Sequence, residues 1–505
     1  MKKNSALHQT GLRCFVISVL ASAFFGTFLI GKSSAQIADQ AGPPNVLLFL
    51  TDDLAFHDLG PYGNQVVRTP NVDRLAEEGM IFEYAFNSAP MCAPTRMSLY
   101  SGIHPVRNGG YPNHGRAYDW VRSLPDYLGD LGYRVAQLGK SHEAPWKSFN
   151  FEFLGGRHHD HGDGIDLELT KVDQFIEESR GRPWCLVVTS NQSHTPWNRG
   201  DVSTYRPEDV WIPPYLVDTP ETRLEMIRYY AEIEYMDTQL GHCLKVLDES
   251  GETDRTIVIF LSEQGSEFAF GKWTCNEMGL RSAAIFRWPG RVNAGSWNDT
   301  IFQYVDVAPT LVAAAGAKPE EVADFDGKNM LPELLGSGIV ESLYAYGVQT
   351  SVKTPHGAVL GPTDVAKAKT GPYASRSIRD QRYRLIWNIH HEETYFNRTI
   401  ERGESFKSWV RLAEEGDEFA ASRVSAYRNR PEFELYDYSN DPWELINLAG
   451  NPEYDEVRQS LFQELQLWMY QQGDKGHQTE VDATKRTPQK GERGGEVRSD
   501  LEVDI

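Results

Sequence analysis

The stretch Val46-Leu-Leu-Phe-Leu-Thr51, followed at once by Asp52-Asp53, decides the fold class. An uninterrupted apolar run of this length is typical of a strand buried on both faces of a parallel sheet, and the charged pair marks its carboxyl end. Three later apolar runs also end in polar clusters. They cover residues 133–138, before Gly139-Lys140-Ser141-His142, residues 184–190, before Ser193-His194-Thr195, and residues 256–261, before Ser262-Glu263-Gln264. The four runs predict parallel strands that deliver these side chains to one edge of a sheet.

Helical patterns lie between these runs, over residues 71–78, 123–131, 167–178 and 222–247. Strands that alternate with helices predict an α/β fold with a large doubly wound, mostly parallel sheet flanked by helices. Further along the chain, residues 383–388 and 433–437 have the composition of strands, and residues 454–471 have that of an amphipathic helix. They predict a smaller C-terminal α+β domain, a short antiparallel sheet plus a helix.

The chain has 505 residues, which exceeds the usual size of a domain with a single hydrophobic core. Two packed domains are therefore expected. The predicted division is a signal peptide at 1–35, a catalytic domain at 43–370, a smaller C-terminal domain at 371–472 and a disordered tail at 473–505. The tail lacks Phe, Trp and Tyr and is rich in charged residues and Gly.

The N-terminus has the marks of a secretory signal. Basic residues precede an apolar stretch over residues 14–30, which ends in Ser33-Ser34-Ala35, a small-residue cleavage pattern. Export to the periplasm or the extracellular space is therefore expected, without stable membrane insertion after cleavage. An uncleaved anchor is the alternative, because the stretch is close to membrane-spanning length.

The net charge of −21 argues against nucleic acid as a partner. The same charge would slow the approach of a polyanion. Any anionic substrate therefore needs a local basic pocket.

The segment Met91-Cys92-Ala93-Pro94-Thr95-Arg96 contains C-x-P-x-R, the pattern at which maturation enzymes oxidise a cysteine to formylglycine. Three fixed positions are weak evidence alone, since Cys92 could equally be a small buried hydrophobe. The context adds to it, because over residues 43–470 the chain resembles the type I (formylglycine-dependent) sulfatases of the alkaline phosphatase superfamily. The segments that carry this resemblance are Asn45 to Asp53, Ser101-Gly102-Ile103-His104-Pro105, Gly139-Lys140 with His142, His194-Thr195-Pro196, Lys272, Glu434-Leu-Tyr-Asp437 and Asn440-Asp441-Pro442. Val121-Arg122-Ser123-Leu124-Pro125 is similar to the heparan N-sulfatase (sulfamidase) branch.

The resemblance implies a sulfatase in which Cys92 becomes 3-oxoalanine (formylglycine), whose hydrate attacks sulfur. It assigns Arg96 and Lys140 to the sulfate and hydrate oxygens and His142 to the formylglycine hydroxyl. Either His194 or Lys272 protonates the leaving oxygen, and the sequence leaves that choice open.

The metal site implied by the resemblance consists of hard oxygen ligands, which suit Ca²⁺, with Mg²⁺ as the alternative. Its residues are Asp52, Asp53, Cys92, Glu263 and Gln264. The family usually has Asp followed by Asn or His where this chain has Glu263-Gln264. These longer side chains leave the identity and affinity of the metal open.

The expected partners are a sulfated carbohydrate, either a polysaccharide or its oligosaccharides, and a formylglycine-generating enzyme. Trp146, Trp197 and Trp273 lie near the predicted site and could stack on sugars, although Trp is equally common in cores. Two other functions stay open. One is a phosphonate or phosphodiester hydrolase of the same superfamily, and the other is a non-catalytic protein that binds sulfated glycans.

Overall fold

The computed structural model describes residues 42–156, 166–350 and 373–486, so the predicted signal peptide lies outside the described residues. The strands, in chain order, are β1 (Asn45–Thr51), β2 (Met80–Phe82), β3 (Ala85–Phe86), β4 (Arg134–Gly139), β5 (Glu152–Gly155), β6 (Trp184–Thr189), β7 (Thr256–Ser262), β8 (Arg281–Ser282), β9 (Ala284–Arg287), β10 (Ser296–Asn298), β11 (Phe302–Gln303), β12 (Ala345–Gln349), β13 (Ser375–Arg379), β14 (Tyr383–Asn388) and β15 (Phe433–Asp437).

The α-helices are α1 (Pro70–Glu78), α2 (Cys92–Ser101), α3 (Pro105–Asn108), α4 (Leu124–Gly129), α5 (Thr170–Glu178), α6 (Pro220–Ser250), α7 (Glu277–Leu280), α8 (Val307–Ala314), α9 (Pro319–Val322), α10 (Leu331–Leu334), α11 (Arg398–Arg402), α12 (Glu404–Glu414), α13 (Glu418–Arg428), α14 (Asp455–Gln471) and α15 (His477–Asp482). Among the described residues, no helix is both long and apolar enough to cross a membrane.

The large sheet has the strand order β10-β2-β9-β7-β1-β6-β4-β5. Its pairs are parallel except where β9 meets β7 and β2. The central strand β1 alternates its side chains between two cores. Leu47 and Phe49 pack on the side of α6, whereas Leu48 and Leu50 pack on the side of α2. The predicted doubly wound, mostly parallel sheet is therefore confirmed.

The register of the sheet brings the predicted site residues to one edge. Thr51 at the end of β1 lies opposite Ser262 at the end of β7, and Gly139 at the end of β4 lies opposite Thr189 at the end of β6. Because these strands are parallel, the residues that follow them emerge side by side.

The smaller sheet is antiparallel, in the order β12-β13-β14-β15, and α14 packs against it. This arrangement confirms the predicted antiparallel sheet plus helix. Strand β12 precedes residue 371, so the small sheet includes one strand from the predicted catalytic domain. The division into two domains stays a prediction.

The start of the predicted disordered tail is ordered, which corrects that prediction for residues 473–486. The buried Arg376 guanidinium holds this segment, with Asp474 at 2.5 Å and Glu480 at 2.8 Å. The Tyr111 hydroxyl also donates a hydrogen bond to Thr479 O at 3.0 Å. The charges that suggested disorder are thus neutralised by a partner far away in the sequence.

Candidate active site

The predicted catalytic and metal residues come together at the carboxyl edge of the large sheet. Asp52 and Asp53 follow β1, Glu263 and Gln264 follow β7, and Lys140 follows β4. Cys92 and Arg96 belong to α2, which begins at Cys92, and Lys272 comes from the loop after β7. All of these side chains are buried. Their convergence is what the four strand ends predicted.

Cys92 lies between an amide and a carboxylate. Gln264 Nε2 is 3.3 Å from Cys92 Sγ, and the thiol faces Asp53 Oδ1 at 3.9 Å. Burial, together with the nearby charges of Asp52 and Glu263, raises the pKa of the Cys92 thiol well above its ordinary value. The unmodified side chain is therefore a neutral thiol, which is a poor metal ligand and a poor nucleophile.

Each of the three buried carboxylates faces a basic side chain. Lys140 Nζ donates to Asp52, Arg96 Nε lies 2.5 Å from Glu263 Oε1, and Lys272 Nζ lies 2.6 Å from Asp53 Oδ2.

The pKa values of two of these carboxyl groups move in opposite directions. Burial would raise the pKa of Asp52, but the charges of Lys140, His194 and Arg96 and a hydrogen bond with Glu263 together outweigh it and lower that pKa well below the ordinary value. Burial raises the pKa of Glu263 well above its usual range in spite of Arg96. The positive charge beside Glu263 therefore does not offset the effect of burial on its carboxylate.

The oxygen atoms of this cluster fit a divalent cation. One ligand atom from each of Asp52, Asp53, Cys92 and Glu263 lies within 4.8 Å of the others. Among the described residues, the buried atoms Asp52 Oδ1, Glu263 Oε2 and Gln264 Oε1 have no hydrogen-bond partner. Buried polar atoms are almost always paired in proteins, so the unpaired carboxylate oxygens of Asp52 and Glu263, with the amide oxygen of Gln264 nearby, are a donor set that fits a cation. Their hardness suits Ca²⁺ or Mg²⁺.

A second cluster lies beside Asp53. Lys272 Nζ contacts Glu267 Oε1 at 3.1 Å, and His194 Nε2 lies 3.6 Å from Asp53 Oδ2 and 4.0 Å from Glu267 Oε1. The Thr195 hydroxyl donates to Glu267. Glu267 was not predicted from the sequence, although it lies only three residues after Gln264. It holds the two candidate proton donors in one place.

His142 contacts another histidine, His114, with 2.8 Å between Nε2 and Nδ1. Asp53, His114 and His142 all have left-handed backbone conformations, with φ of 54°, 56° and 58°. Non-glycine residues rarely adopt this conformation, and they do so most often at functional sites. His114 was considered only as a rim residue from the sequence, because nothing in the local pattern shows which histidine reaches His142.

The chain matches proteins of known function over nearly its full length. A model of the Sulfatase family matches residues 44–317. An ulvan-active sulfatase of Formosa agariphila is 32% identical over 477 residues, which covers 94% of this chain and 88% of that protein. The human N-sulphoglucosamine sulphohydrolase is 25% identical, which covers 86% of this chain and 91% of that protein. A solved "2-O GAG sulfatase" has a TM-score of 0.63 at 19% identity and covers 86% of this chain and 93% of its own.

Proposed function

Because the chain belongs to the sulfatase family, and is therefore a sulfuric ester hydrolase, we propose that it removes a sulfate group from a carbohydrate and that Cys92 is the residue converted to formylglycine. The observation that carries the proposal is the position of Cys92. It lies at the start of α2 among three carboxylates, three basic side chains and the orphaned oxygens described above.

The carbohydrate substrate is supported by the two relatives, one named for activity on ulvan and the other for N-sulphoglucosamine. These names favour a sulfated polysaccharide or its oligosaccharides. The two relatives differ in the type of sulfate group, so both an O-sulfate and an N-sulfate are compatible with the proposal.

The nucleophile would come from position 92, since one hydroxyl of a hydrated formylglycine can attack sulfur and expel the sugar oxygen or nitrogen. The second hydroxyl then gives up its proton and becomes the aldehyde oxygen, while sulfate leaves with the first oxygen. Asp53 and Gln264 already flank this position and would orient the hydrate. The His142–His114 pair, joined through Nε2 and Nδ1, would take up the proton that the second hydroxyl loses when sulfate is released.

Arg96 and Lys140 would stabilise the sulfonyl oxygens. Burial alone would lower the pKa of Lys140, but Asp52 and the neighbouring anions raise it above its ordinary value. The side chain is therefore an ammonium at neutral pH. Fixed positive charge in a site without bulk water stabilises developing negative charge more strongly than water would.

Lys272 or His194 would protonate the leaving oxygen or nitrogen. The carboxylates of Asp53 and Glu267 hold Lys272 Nζ from two sides, and the same carboxylates lie within 4.0 Å of His194 Nε2. This arrangement fixes the position of both donors relative to Cys92.

A divalent cation, which we propose to be one Ca²⁺ per chain, would offset the charge of the sulfate and increase the acidity of the attacking hydroxyl. Asp52, Asp53, Glu263 and Gln264, with residue 92, would hold it. Rotating the Gln264 amide by half a turn places its orphaned Oε1 where Nε2 now contacts Asp53 and Cys92.

Export and maturation complete the proposal. The basic and apolar N-terminus favours secretion to the periplasm or the extracellular space, and C-x-P-x-R at residue 92 requires a formylglycine-generating enzyme.

The proposal is tested by measuring sulfate release from ulvan oligosaccharides, heparin disaccharides and an aryl sulfate, with an aryl phosphonate for comparison. The protein is coexpressed with a formylglycine-generating enzyme, and Cys92→Ala is the control. We expect sulfate release by the matured protein and none by Cys92→Ala. Hydrolysis of the aryl phosphonate, with no sulfate released from any of the sulfated substrates, would contradict the proposal and favour the phosphonate hydrolase. Binding of the sugars without any turnover by fully matured protein would favour a non-catalytic binding protein.

A further inference from the structure

The loop around Trp120 and the turn around Trp146 form an exposed aromatic and basic surface next to the site. We infer that this surface, made of Tyr118, Trp120 and Trp146 with their neighbouring cations, binds the body of a sulfated glycan whose scissile sulfate lies in the site. The inference rests on the proposed function for the sulfated nature of the ligand. We call this surface the platform.

The platform follows directly in sequence after two residues whose side chains contact the site. Asn113 Oδ1 accepts a hydrogen bond from Ala93 N at 3.4 Å, directly beside Cys92. The next residue, His114, contacts His142. Residues 115–120, which carry part of the platform, therefore begin right beside the site.

Two chain segments that are separate in sequence are joined here. Ala117 N donates to Ala144 O at 2.7 Å, and Lys147 Nζ lies 2.9 Å from Asp119 Oδ2. Trp120 and Trp146 are the sequence neighbours of this ion pair. The segments that carry the two tryptophans are thus held together, and Trp146 lies in the connection between β4 and β5.

The aromatic side chains of the platform are exposed instead of packed. Trp120 is 57% exposed, Trp146 is 45% exposed and Tyr118 is 37% exposed. The rings of Tyr118 and Trp120 are nearly parallel, with 12° between their planes and 6.3 Å between their centroids. Exposed aromatic side chains are a mark of a binding site, and a tryptophan ring offers a flat face to the apolar face of a sugar.

Positive charge surrounds the rings, although the chain as a whole is strongly acidic. Arg486 lies over Tyr118, with 4.1 Å from its guanidinium carbon to the ring centroid, and its Nη2 donates to Arg116 O at 2.7 Å. The platform carries the cations Arg116, Arg122, Lys147 and Arg486, and Asp119 and Asp130 are among their carboxylate partners. These cations lie around the aromatic rings of a chain whose net charge is −21.

A sulfated sugar presents both chemistries at once, an apolar ring face and anionic groups at the ring edge. A neutral glycan would use only the aromatic rings, and a small anion would use only the cations. The combination therefore points to a sulfated glycan chain, held at a second point while one of its sulfates is in the site. Two linked contacts raise the affinity for a chain above that for a single sugar.

The experiment measures binding in the full-length Cys92→Ala protein, so that no turnover disturbs it. Affinity electrophoresis and calorimetry with ulvan and heparin compare this protein with the same protein carrying Trp120→Ala and Trp146→Ala. The matched control is Trp297→Ala, because Trp297 is 52% exposed on β10, the strand at the opposite edge of the large sheet. Circular dichroism confirms that each variant is folded.

We expect the double variant to bind at least one of the two polysaccharides about tenfold more weakly, while Trp297→Ala changes the affinity by less than about twofold. We also expect desulfated heparin to bind more weakly than heparin. Equal affinities of the double variant and its parent, equal losses in Trp297→Ala, or no binding of either polysaccharide would overturn the inference. Because binding is measured without turnover, these results are independent of whether the matured enzyme releases sulfate.

Discussion

Replacing Lys272 with Met should reduce stability as well as activity, because its ammonium is the shared partner of two buried carboxylates. Lys272 Nζ lies 2.6 Å from Asp53 Oδ2 and 3.1 Å from Glu267 Oε1. The side chains of Lys272 and Glu267 are only 2% and 4% exposed. Removal of one member of a buried ion pair typically costs about 3–5 kcal/mol, since the other charge stays buried without a partner.

The pKa of Glu267 gives an independent magnitude. Burial would raise this pKa, but the charges of Lys272 and His194, with hydrogen bonds from Thr195 and Lys272, together outweigh it and lower the pKa from 4.5 to about 2. At about 1.4 kcal/mol per pH unit, this lowering corresponds to about 3 kcal/mol of stability. The contribution is present above pH 4.5 and is lost as the pH falls through about 2. Lys272→Met should therefore lose more stability at pH 7 than at pH 4, where Glu267 can be protonated in the variant.

The assay is urea unfolding with a chelator present, so that no cation compensates Asp53. Lys272→Met is compared with the double variant Lys272→Met/Glu267→Gln, which removes the stranded charge. We expect the double variant to regain at least about 1 kcal/mol of the loss, while its sulfate release stays as low as that of Lys272→Met. Additive effects of the two substitutions, or a loss of stability that does not depend on pH, would refute this reasoning.

Three further predictions concern other buried groups. Burial raises the pKa of Asp58 from 3.8 to about 7, so its contribution to stability is complete below pH 3.8 and is lost as the pH rises to 7. Asp58→Asn should remove this decrease of about 4 kcal/mol in the free energy of unfolding between pH 4 and 7. Parallel profiles of stability against pH for the variant and its parent would contradict this prediction. Gln264→Ala should weaken calcium binding at least about tenfold, measured by calorimetry, and unchanged affinity would exclude its amide as a ligand. Arg376→Leu should lower the free energy of unfolding by about 3–5 kcal/mol, because Asp474 and Glu480 lose their buried partner. It should also expose residues 474–486 to protease. Resistance of this segment to protease in the variant would show that Arg376 does not hold it in place.

The sequence predicted the parts of the fold whose patterns are local. The runs before Asp52 and Glu263 are apolar because β1 and β7 are buried on both faces, and residues 383–388 and 433–437 coincide with β14 and β15. Helix α2 was not predicted. All of its residues are buried, so no polar face marks it with helical spacing. Strand β13 was also missed, because its buried Arg376 and Arg379 resemble surface residues until their acidic partners are known.

The same limit applies to the site. Residues at strand ends could be assigned because parallel strands share an edge, and the structure brings each predicted metal residue into one cluster. The roles of His114 and Glu267 depend on contacts between loops from different strands, and no spacing in the sequence encodes those contacts.

The central claim is that an aldehyde at position 92 drives sulfate release. Its most direct test measures, on the same preparations, the fraction of the residue 92 peptide that has the mass of formylglycine and the rate of sulfate release. Preparations made with increasing amounts of the formylglycine-generating enzyme provide a range of converted fractions. The account predicts a rate proportional to the converted fraction and no release without conversion. A rate that does not change with conversion, or fully converted protein that releases no sulfate from any sulfated carbohydrate, would contradict it.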